Sequence, residues 1–317
     1  MAALKLEMAT QPTFYFIGVT TGKSSIMRVF PQWVNYLRYG DVAIKGIDCK
    51  IHDDPQVYRD VVAFIKGDPL SLGGLVTTHK MDLLAAARDY FEYLDPYAEL
   101  LGEISSISKR AGELRGHAKD TITSGLAMEA FVPKSHWQNT GAELCVLGAG
   151  GSSLALTCYI MKQKPRSEWP SKIIVTNRSE PRLAYMKAIH AKINPGIPVE
   201  YVYAPEQAVN DAVVGALKPE SLVVNATGLG KDQEGSPLTD RAIFPERGLV
   251  WEFNYRGNLV FLDQAKKQEK ARALKIEDGW IYFIYGWTRV MAEVFNREIP
   301  VKGPVFDDLC RIAAEHR

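Results

Sequence analysis

Apolar and polar positions change period repeatedly along this chain, and each change marks an element. Residues 13–19 form an aromatic and β-branched run ending in a turn, which predicts a strand. Ile26, Val29, Phe30, Trp33, Val34 and Leu37 then recur at helical spacing, behind a serine (Ser24 or Ser25) that can cap the helix. Residues 41–49 alternate as a second strand, 57–65 read as a helix, 75–77 as a short buried strand and 81–94 as another helix. A hairpin is predicted from 104–108 and 113–117 around Ala111-Gly112. A helix over 121–131 leads to a polar, turn-rich stretch at 133–141 that reads as a junction. Beyond it, strands at 144–147, 172–176, 199–203, 221–225 and 249–255 alternate with helices that include 181–193, 206–216 and 261–273. An aromatic-rich helix over 280–295 and a short one from Val305 close the chain.

Strands alternating with helices in both halves predict an α/β fold. The expected organisation is an N-terminal α/β domain over 1–121 and a doubly wound dinucleotide-binding domain over 122–279, with 280–317 returning to the first. A chain of 317 residues accommodates two such cores. Its net charge of +1 gives no bulk attraction to nucleic acid or to an acidic membrane, so neither is expected as a partner. Cys49, Cys145, Cys158 and Cys310 are scattered with no Cys-x-x-Cys pair, which argues for reduced cysteines and against a structural metal. The first 12 residues lack the pattern of a signal peptide, and no run approaches the roughly 20 apolar residues of a membrane span, so a cytoplasmic location is expected. Oligomeric state, monomer or homodimer, is left open.

The candidate chemistry centres on Gly148-Ala149-Gly150-Gly151-Ser152, between a buried strand and a helix. Gly148 permits a tight turn, Gly150 lets a pyrophosphate approach the backbone, and the helix N-terminus offers unpaired amides to phosphate oxygens. A glycine turn alone is weak evidence, because strand-to-helix turns also need glycine for steric reasons. Strand, turn, helix and a second strand together favour a dinucleotide site. Gly18-Val-Thr-Thr-Gly-Lys-Ser24 looks like a P-loop but has three residues between its glycines where four are required, so a nucleotide-hydrolysing reading is set aside. That loop still places Lys23, Ser24 and Ser25 near a helix N-terminus, where a substrate carboxylate is favoured.

Four further motifs stand in order around the glycine turn: Val76-Thr-Thr-His-Lys80, Gly102-Glu-Ile-Ser-Ser-Ile107, Gly116-His-Ala-Lys-Asp120 and Asn225-Ala-Thr-Gly-Leu-Gly230. With Thr176-Asn-Arg-Ser179 they make the chain resemble the shikimate/quinate dehydrogenase family over almost its whole length. The resemblance implies a small-molecule substrate, Lys80 and Asp120 as catalytic residues, and hydride transfer between a nicotinamide cofactor and a secondary alcohol. Oxidising an alcohol releases a proton as well as a hydride, and a lysine of lowered pKa can take that proton. Lys119, if close to Lys80, would lower that pKa by repulsion. His79, a lone histidine before a helix, is read as structural.

Asn177, Arg178, Ser179 and Arg182 follow the second strand of the glycine-turn domain, where an arginine suits the 2′-phosphate of NADP and an acidic residue the 2′-hydroxyl of NAD. NADP is therefore expected, with NAD the alternative because Glu180 is adjacent. Ala226, Thr227, Gly228 and Gly279 are placed at the nicotinamide end. The substrate-reading positions depart from the family pattern. An early hydroxyl becomes Gly22, a threonine becomes Val76, a proline becomes Thr78 and an asparagine becomes Ser105. The run before Asp120 becomes Ala118-Lys119, and a late glutamine falls at Gly286 among Tyr282, Tyr285 and Trp287, with Tyr255 at the end of the 249–255 strand. Losing three or four buried hydrogen bonds, each worth roughly 1–3 kcal/mol, removes useful recognition of shikimate. The expectation is an oxidoreductase of altered specificity on a small, cyclic hydroxy acid, more apolar or aromatic than shikimate. The alternatives are a non-catalytic dinucleotide sensor, a true shikimate or quinate dehydrogenase and, more remotely, a folate-type dehydrogenase.

Overall fold

The computed structural model describes residues 6–193, 196–230 and 233–317. The chain divides into two units, one running to Lys119 and taking in Ile284–Arg317, the other formed by Asp120–Phe283.

The first unit contains, in order, β1 (Thr13–Gly18), α1 (Ile26–Tyr36), β2 (Ala43–Asp48), α2 (Pro55–Gly67), β3 (Ser71–Val76), α3 (Lys80–Ala87), β4 (Tyr93–Leu94), α4 (Pro96–Leu101), β5 (Ser106–Arg110) and β6 (Glu113–His117). They build a six-stranded mixed sheet ordered β2-β1-β3-β5-β6-β4. β1 lies between two parallel neighbours and is buried along its whole length, which is why it reads as a continuous apolar run without alternation. α2 opens on Asp54, whose side chain accepts from the Gln56 amide at 2.8 Å, with Pro55 preset for the first turn. Tyr15, Ile17, Tyr58, Val61, Ile65, Val76, Leu83 and Ile107 belong to one buried cluster of this unit.

The second unit follows with α5 (Asp120–Phe131), α6 (His136–Thr140), β7 (Leu144–Leu147), α7 (Gly151–Gln163), β8 (Ile173–Asn177), α8 (Glu180–Ile193), β9 (Val199–Tyr203), α9 (Gln207–Gly215), β10 (Leu222–Asn225), β11 (Leu249–Glu252), α10 (Val260–Lys266), α11 (Glu269–Arg272) and β12 (Lys275–Glu277). Every pairing in its sheet is parallel, in the order β12-β11-β10-β7-β8-β9. Numbered from β7, this is the doubly wound order 3-2-1-4-5-6 read from the other edge, and it reverses between β7 and β10. α12 (Trp280–Val294) and α13 (Pro304–Ala314) end the chain, and from Ile284 they count with the first unit. There the Trp33 indole donates to the Leu309 carbonyl at 2.9 Å, and Trp287 meets Phe14 and Phe16 with ring centroids 5.9 and 4.9 Å apart.

Several expectations shift. The helix expected over 81–94 stops at Ala87, because Tyr93 and Leu94 pair with Arg115 and Gly116 as a short strand. The stretch 133–141 is no junction: it holds α6 and lies inside the second unit. Ser25 precedes α1 in helical conformation and makes no side-chain capping bond. The helix expected over 261–273 is broken in two between Lys266 and Glu269.

Gly125 of α5 explains the close approach of α5 to α7. A β-carbon there would lie 2.3 Å from the Tyr159 ring. Gly125→Ala must push the ring aside or the helices apart, and is expected to cost about 1–3 kcal/mol, read as a lower urea midpoint.

Candidate functional site

In the second unit the glycine turn leaves β7 and enters α7. Gly148 adopts φ +105, and a β-carbon there would meet the Ala226 carbonyl oxygen at 2.9 Å, so both conformation and packing require glycine. Ala149 is buried. Gly150 behaves differently. Its φ of −86° and ψ of −175° suit any residue, and a β-carbon would meet nothing within 4 Å. Neither strain nor protein packing asks for glycine at 150. Gly151 and Ser152 open α7, which has no side-chain cap, so its first amides are available to an anion. The residues present fit a dinucleotide pyrophosphate.

The adjoining loop follows β10. The Asn225 side-chain carbonyl accepts from the Thr227 amide at 3.1 Å and from its hydroxyl at 2.7 Å. The Asn225 amide group in turn donates to Glu252 at 2.5 Å, and the second carboxylate oxygen of Glu252 accepts from the Asn254 amide at 2.8 Å. Ala226 and Thr227 are half-buried, and Gly228 is exposed with φ +78. Arg178 and Arg182 are exposed just beyond β8, while the Asn177 side chain donates to the Ser179 carbonyl at 3.3 Å. Gly279 has a protein-internal reason: a β-carbon there would lie 2.1 Å from the Phe253 carbonyl oxygen. Around it, Tyr255 meets Phe283 and Trp280 at 4.5 and 5.4 Å, and Tyr282 meets Phe253 at 5.0 Å, forming a half-buried aromatic group.

In the first unit Lys80 begins α3, partly exposed, and its carbonyl accepts from the Ile104 amide at 3.2 Å. The turn before it is strained. Thr78 has φ +57, and the His79 amide donates to the Thr77 carbonyl across it, which makes a tight γ-turn at a β-branched residue. His79 is buried, with its Nδ1 3.1 Å from the Tyr58 hydroxyl, and burial pushes its pKa below the ordinary histidine value. The loop at 18–24 is no anion cradle of the P-loop kind. The Asp48 carboxylate accepts from the Thr21 amide at 2.8 Å and hydroxyl at 2.6 Å, so the chain's own anion occupies those donors. Ser24 and Ser25 are buried; Lys23 is exposed.

Val76 requires correction: it is fully buried in β3, within the core cluster, and cannot contact substrate. Its branched chain has been absorbed into packing. Ser105 is also buried, and its hydroxyl accepts from the Lys119 amide at 2.8 Å. The Lys119 ammonium is held by Glu293 of α12 at 2.6 Å. It therefore acts as an ion-pair partner and not as a bare cation beside Lys80. Gly286, also on α12, has nothing within 4 Å of a would-be β-carbon. Asp120, buried, opens α5 in the second unit, where a carboxylate is favoured by the helix dipole.

Sequence reasoning missed Glu293 and Glu252. Glu293 gathers Lys119, Arg110 at 2.5 Å and His117 at 3.3 Å; burial works against its ionisation, but these neighbours, with the Lys119 hydrogen bond foremost, hold its carboxyl below the usual range. A lone acid on an otherwise apolar helix face was its available signal. Glu252 ends a buried strand, which was the equivalent signal there. Among the described residues no group of three His, Cys, Asp or Glu side chains could hold a metal, and no helix is long and apolar enough to cross a membrane.

These environments lead to two expected outcomes. Thr78→Gly relieves the left-handed strain and should raise the urea midpoint, by about 0.5–1 kcal/mol after the entropy that glycine adds to the unfolded chain. Burial, with Asp278 adding to it, lifts the Glu252 pKa from 4.5 to about 7 despite its amide donors. A raised folded-state value means that this contribution to stability is whole below pH 4.5 and is lost as pH rises through 7. Denaturant titrations from pH 5 to 8 should therefore show wild type losing about 3 kcal/mol more than Glu252→Gln, and parallel curves would disprove the assignment.

No family model matches the chain. Its sequence is 27% identical over 180 residues to the shikimate dehydrogenase (NADP(+)) of Lactococcus lactis subsp. cremoris strain MG1363, covering 56% of this chain and 59% of that relative, so the match spans less than two thirds of the relative's length. Among solved structures, the shikimate 5-dehydrogenase of Thermus thermophilus in complex with NADP(H) and shikimate superposes with a TM-score of 0.68 at 18% identity, covering 96% of this chain and 99% of that one. The quinate dehydrogenase of Corynebacterium glutamicum in complex with NAD gives a TM-score of 0.70 at 16% identity, over 96% and 99% of the two chains. The two-domain fold is thus shared with these dehydrogenases, and part of the sequence is similar to that of an NADP-dependent shikimate dehydrogenase.

Proposed function

We propose that this protein is an NADP-dependent oxidoreductase that interconverts a secondary alcohol and a ketone on a small cyclic hydroxy acid other than shikimate. The observation that carries the reading is Gly150, a glycine that neither backbone strain nor protein packing requires, at the N-terminus of an uncapped helix. Gly148, Ala149, Gly151 and Ser152 complete that turn, and Ala226, Thr227 and Gly228 line the neighbouring loop. Arg178 and Arg182, exposed beyond the second strand and helped by Asn177 and Ser179, suit a 2′-phosphate. The bound cofactor supplies or accepts the hydride.

Lys80 takes the proton that leaves the alcohol oxygen, and returns it in the reverse direction. The strained turn at Thr78 fixes the start of α3 and so the root of the Lys80 side chain. Asp120 accepts a hydrogen bond from a neighbouring substrate hydroxyl, and Lys23, Ser24 and Ser25 face the substrate carboxylate. Altered specificity is supported by the fate of the other positions. Val76 belongs to the core, Ser105 is bonded to the Lys119 backbone, Lys119 is paired with Glu293, and Gly286 offers no side chain. The same internal satisfaction of polar groups supports a second reading, a dinucleotide-binding sensor without turnover.

Hydride transfer measured with NADPH and NADH against shikimate, quinate and a panel of cyclic hydroxy and oxo acids separates these readings. We expect turnover with NADPH on a panel compound, a loss of roughly 1000-fold or more in kcat for Lys80→Ala, and little activity on shikimate. Micromolar KM for shikimate would overturn the altered specificity. NADPH binding without turnover of any compound would favour the sensor, and a strong NADH preference would overturn the cofactor assignment.

A further inference from the structure

We infer that Glu252 is a positioning residue for the cofactor loop, acting through Asn225, an inference that rests on the dinucleotide reading above. Glu252 ends β11 with no exposed surface, at the carboxyl edge of the parallel sheet where ligands of this architecture bind. Its two oxygens are spent on two different loops. One accepts from the Asn225 side-chain amide at 2.5 Å and the other from the Asn254 backbone amide at 2.8 Å.

Each of these donors belongs to a group that holds something further. By donating to Glu252 with its nitrogen, Asn225 is left with its carbonyl oxygen facing Thr227, whose amide and hydroxyl both donate to it. The Thr227 hydroxyl then accepts from the Leu229 amide at 3.2 Å. On the other side the Asn254 side chain donates to the Leu229 carbonyl at 3.2 Å, and the Asn254 carbonyl accepts from the Gly279 amide at 3.1 Å. A single buried carboxylate thus decides which way the Asn225 amide faces. That orientation decides the conformation of 227–229, the segment assigned to the nicotinamide ribose. Once ionised, above its raised pKa of about 7, the carboxylate suits this task because it accepts at both oxygens and donates at neither. A glutamine cannot replace it, since its nitrogen would confront one of the two donors.

The polarity of the pair can be exchanged, and this supplies the test. In Glu252→Gln a donor opposes either the Asn225 nitrogen or the Asn254 amide. In the double variant Asn225→Asp with Glu252→Gln, the glutamine nitrogen donates to the new aspartate. The glutamine oxygen still accepts from Asn254, and the second aspartate oxygen still accepts from Thr227. Net charge is unchanged. Dissociation constants for NADPH, read by its fluorescence, and thermal midpoints should be measured for wild type, Glu252→Gln and the exchanged pair. We expect at least a tenfold weaker NADPH complex for folded Glu252→Gln and a return to within threefold of wild type in the exchanged pair. A variant that melts earlier but binds NADPH as wild type does would mean a structural role only and overturn the inference. So would an exchanged pair that stays as weak as the single variant. If Glu252→Gln does not fold, the exchanged pair alone decides, and its failure to fold or to bind overturns the inference. Failure of wild type to bind NADPH or NADH would instead overturn the dinucleotide reading itself.

Discussion

The second unit is governed by how closely two backbone segments approach where its strand order reverses. Gly148, leaving β7, and Ala226, leaving β10, come so near that a β-carbon at 148 would meet the Ala226 carbonyl at 2.9 Å. The two strands are hydrogen-bonded neighbours in register, Leu147 beside Asn225, so the loops that leave them have no freedom to separate without breaking the sheet. Everything proposed for the cofactor hangs on that contact. It holds Gly148 against the Thr227 segment, whose backbone nitrogen would lie 3.1 Å from a β-carbon at 148, and it makes the orientation of Asn225 matter. A parallel sheet places all its strand ends on one edge, so a buried acid on the next strand can govern a loop it does not belong to.

Regular elements were legible where burial was uniform along them. β1, β7 and β10 are buried at every position and stand out as short apolar runs; α1 and α13 keep one face to the core and show a helical period. What the pattern missed were elements fixed by few residues or by pairing. β4 is two residues long and exists because Tyr93 and Leu94 meet Arg115 and Gly116. α6 sits in a polar stretch that turn composition described as loop. The site divides in the same way. The glycine turn carries its own local chemistry and was readable. Gly148 and Gly150 looked alike in the sequence, yet only their packing separates the glycine that the fold requires from the one that it leaves open. Val76 was misread because a position aligned with a polar one need not stay at a surface once its residue is apolar. Glu293 was invisible because its partners, Arg110, His117 and Lys119, lie more than 170 residues away in the chain.

Internal pairing in the first unit bears on what the proposed enzyme can discriminate. A site built to hydrogen-bond substrate hydroxyls rejects analogues lacking them, because its own buried groups are then left unpaired. Here those groups have partners before any ligand arrives. The Ser105 hydroxyl serves the Lys119 amide, the Lys119 ammonium serves Glu293, and the Thr21 donors serve Asp48. A ligand with fewer hydroxyls therefore leaves these three groups paired, and the penalty of roughly 1–3 kcal/mol per missing contact that enforces recognition of a polyhydroxylated ring does not arise at them. Discrimination at those positions must then come from shape and apolar contact. Apolar discrimination is weaker per group than hydrogen-bond discrimination. The proposed enzyme is therefore expected to separate related rings less sharply than a site built on hydrogen bonds would.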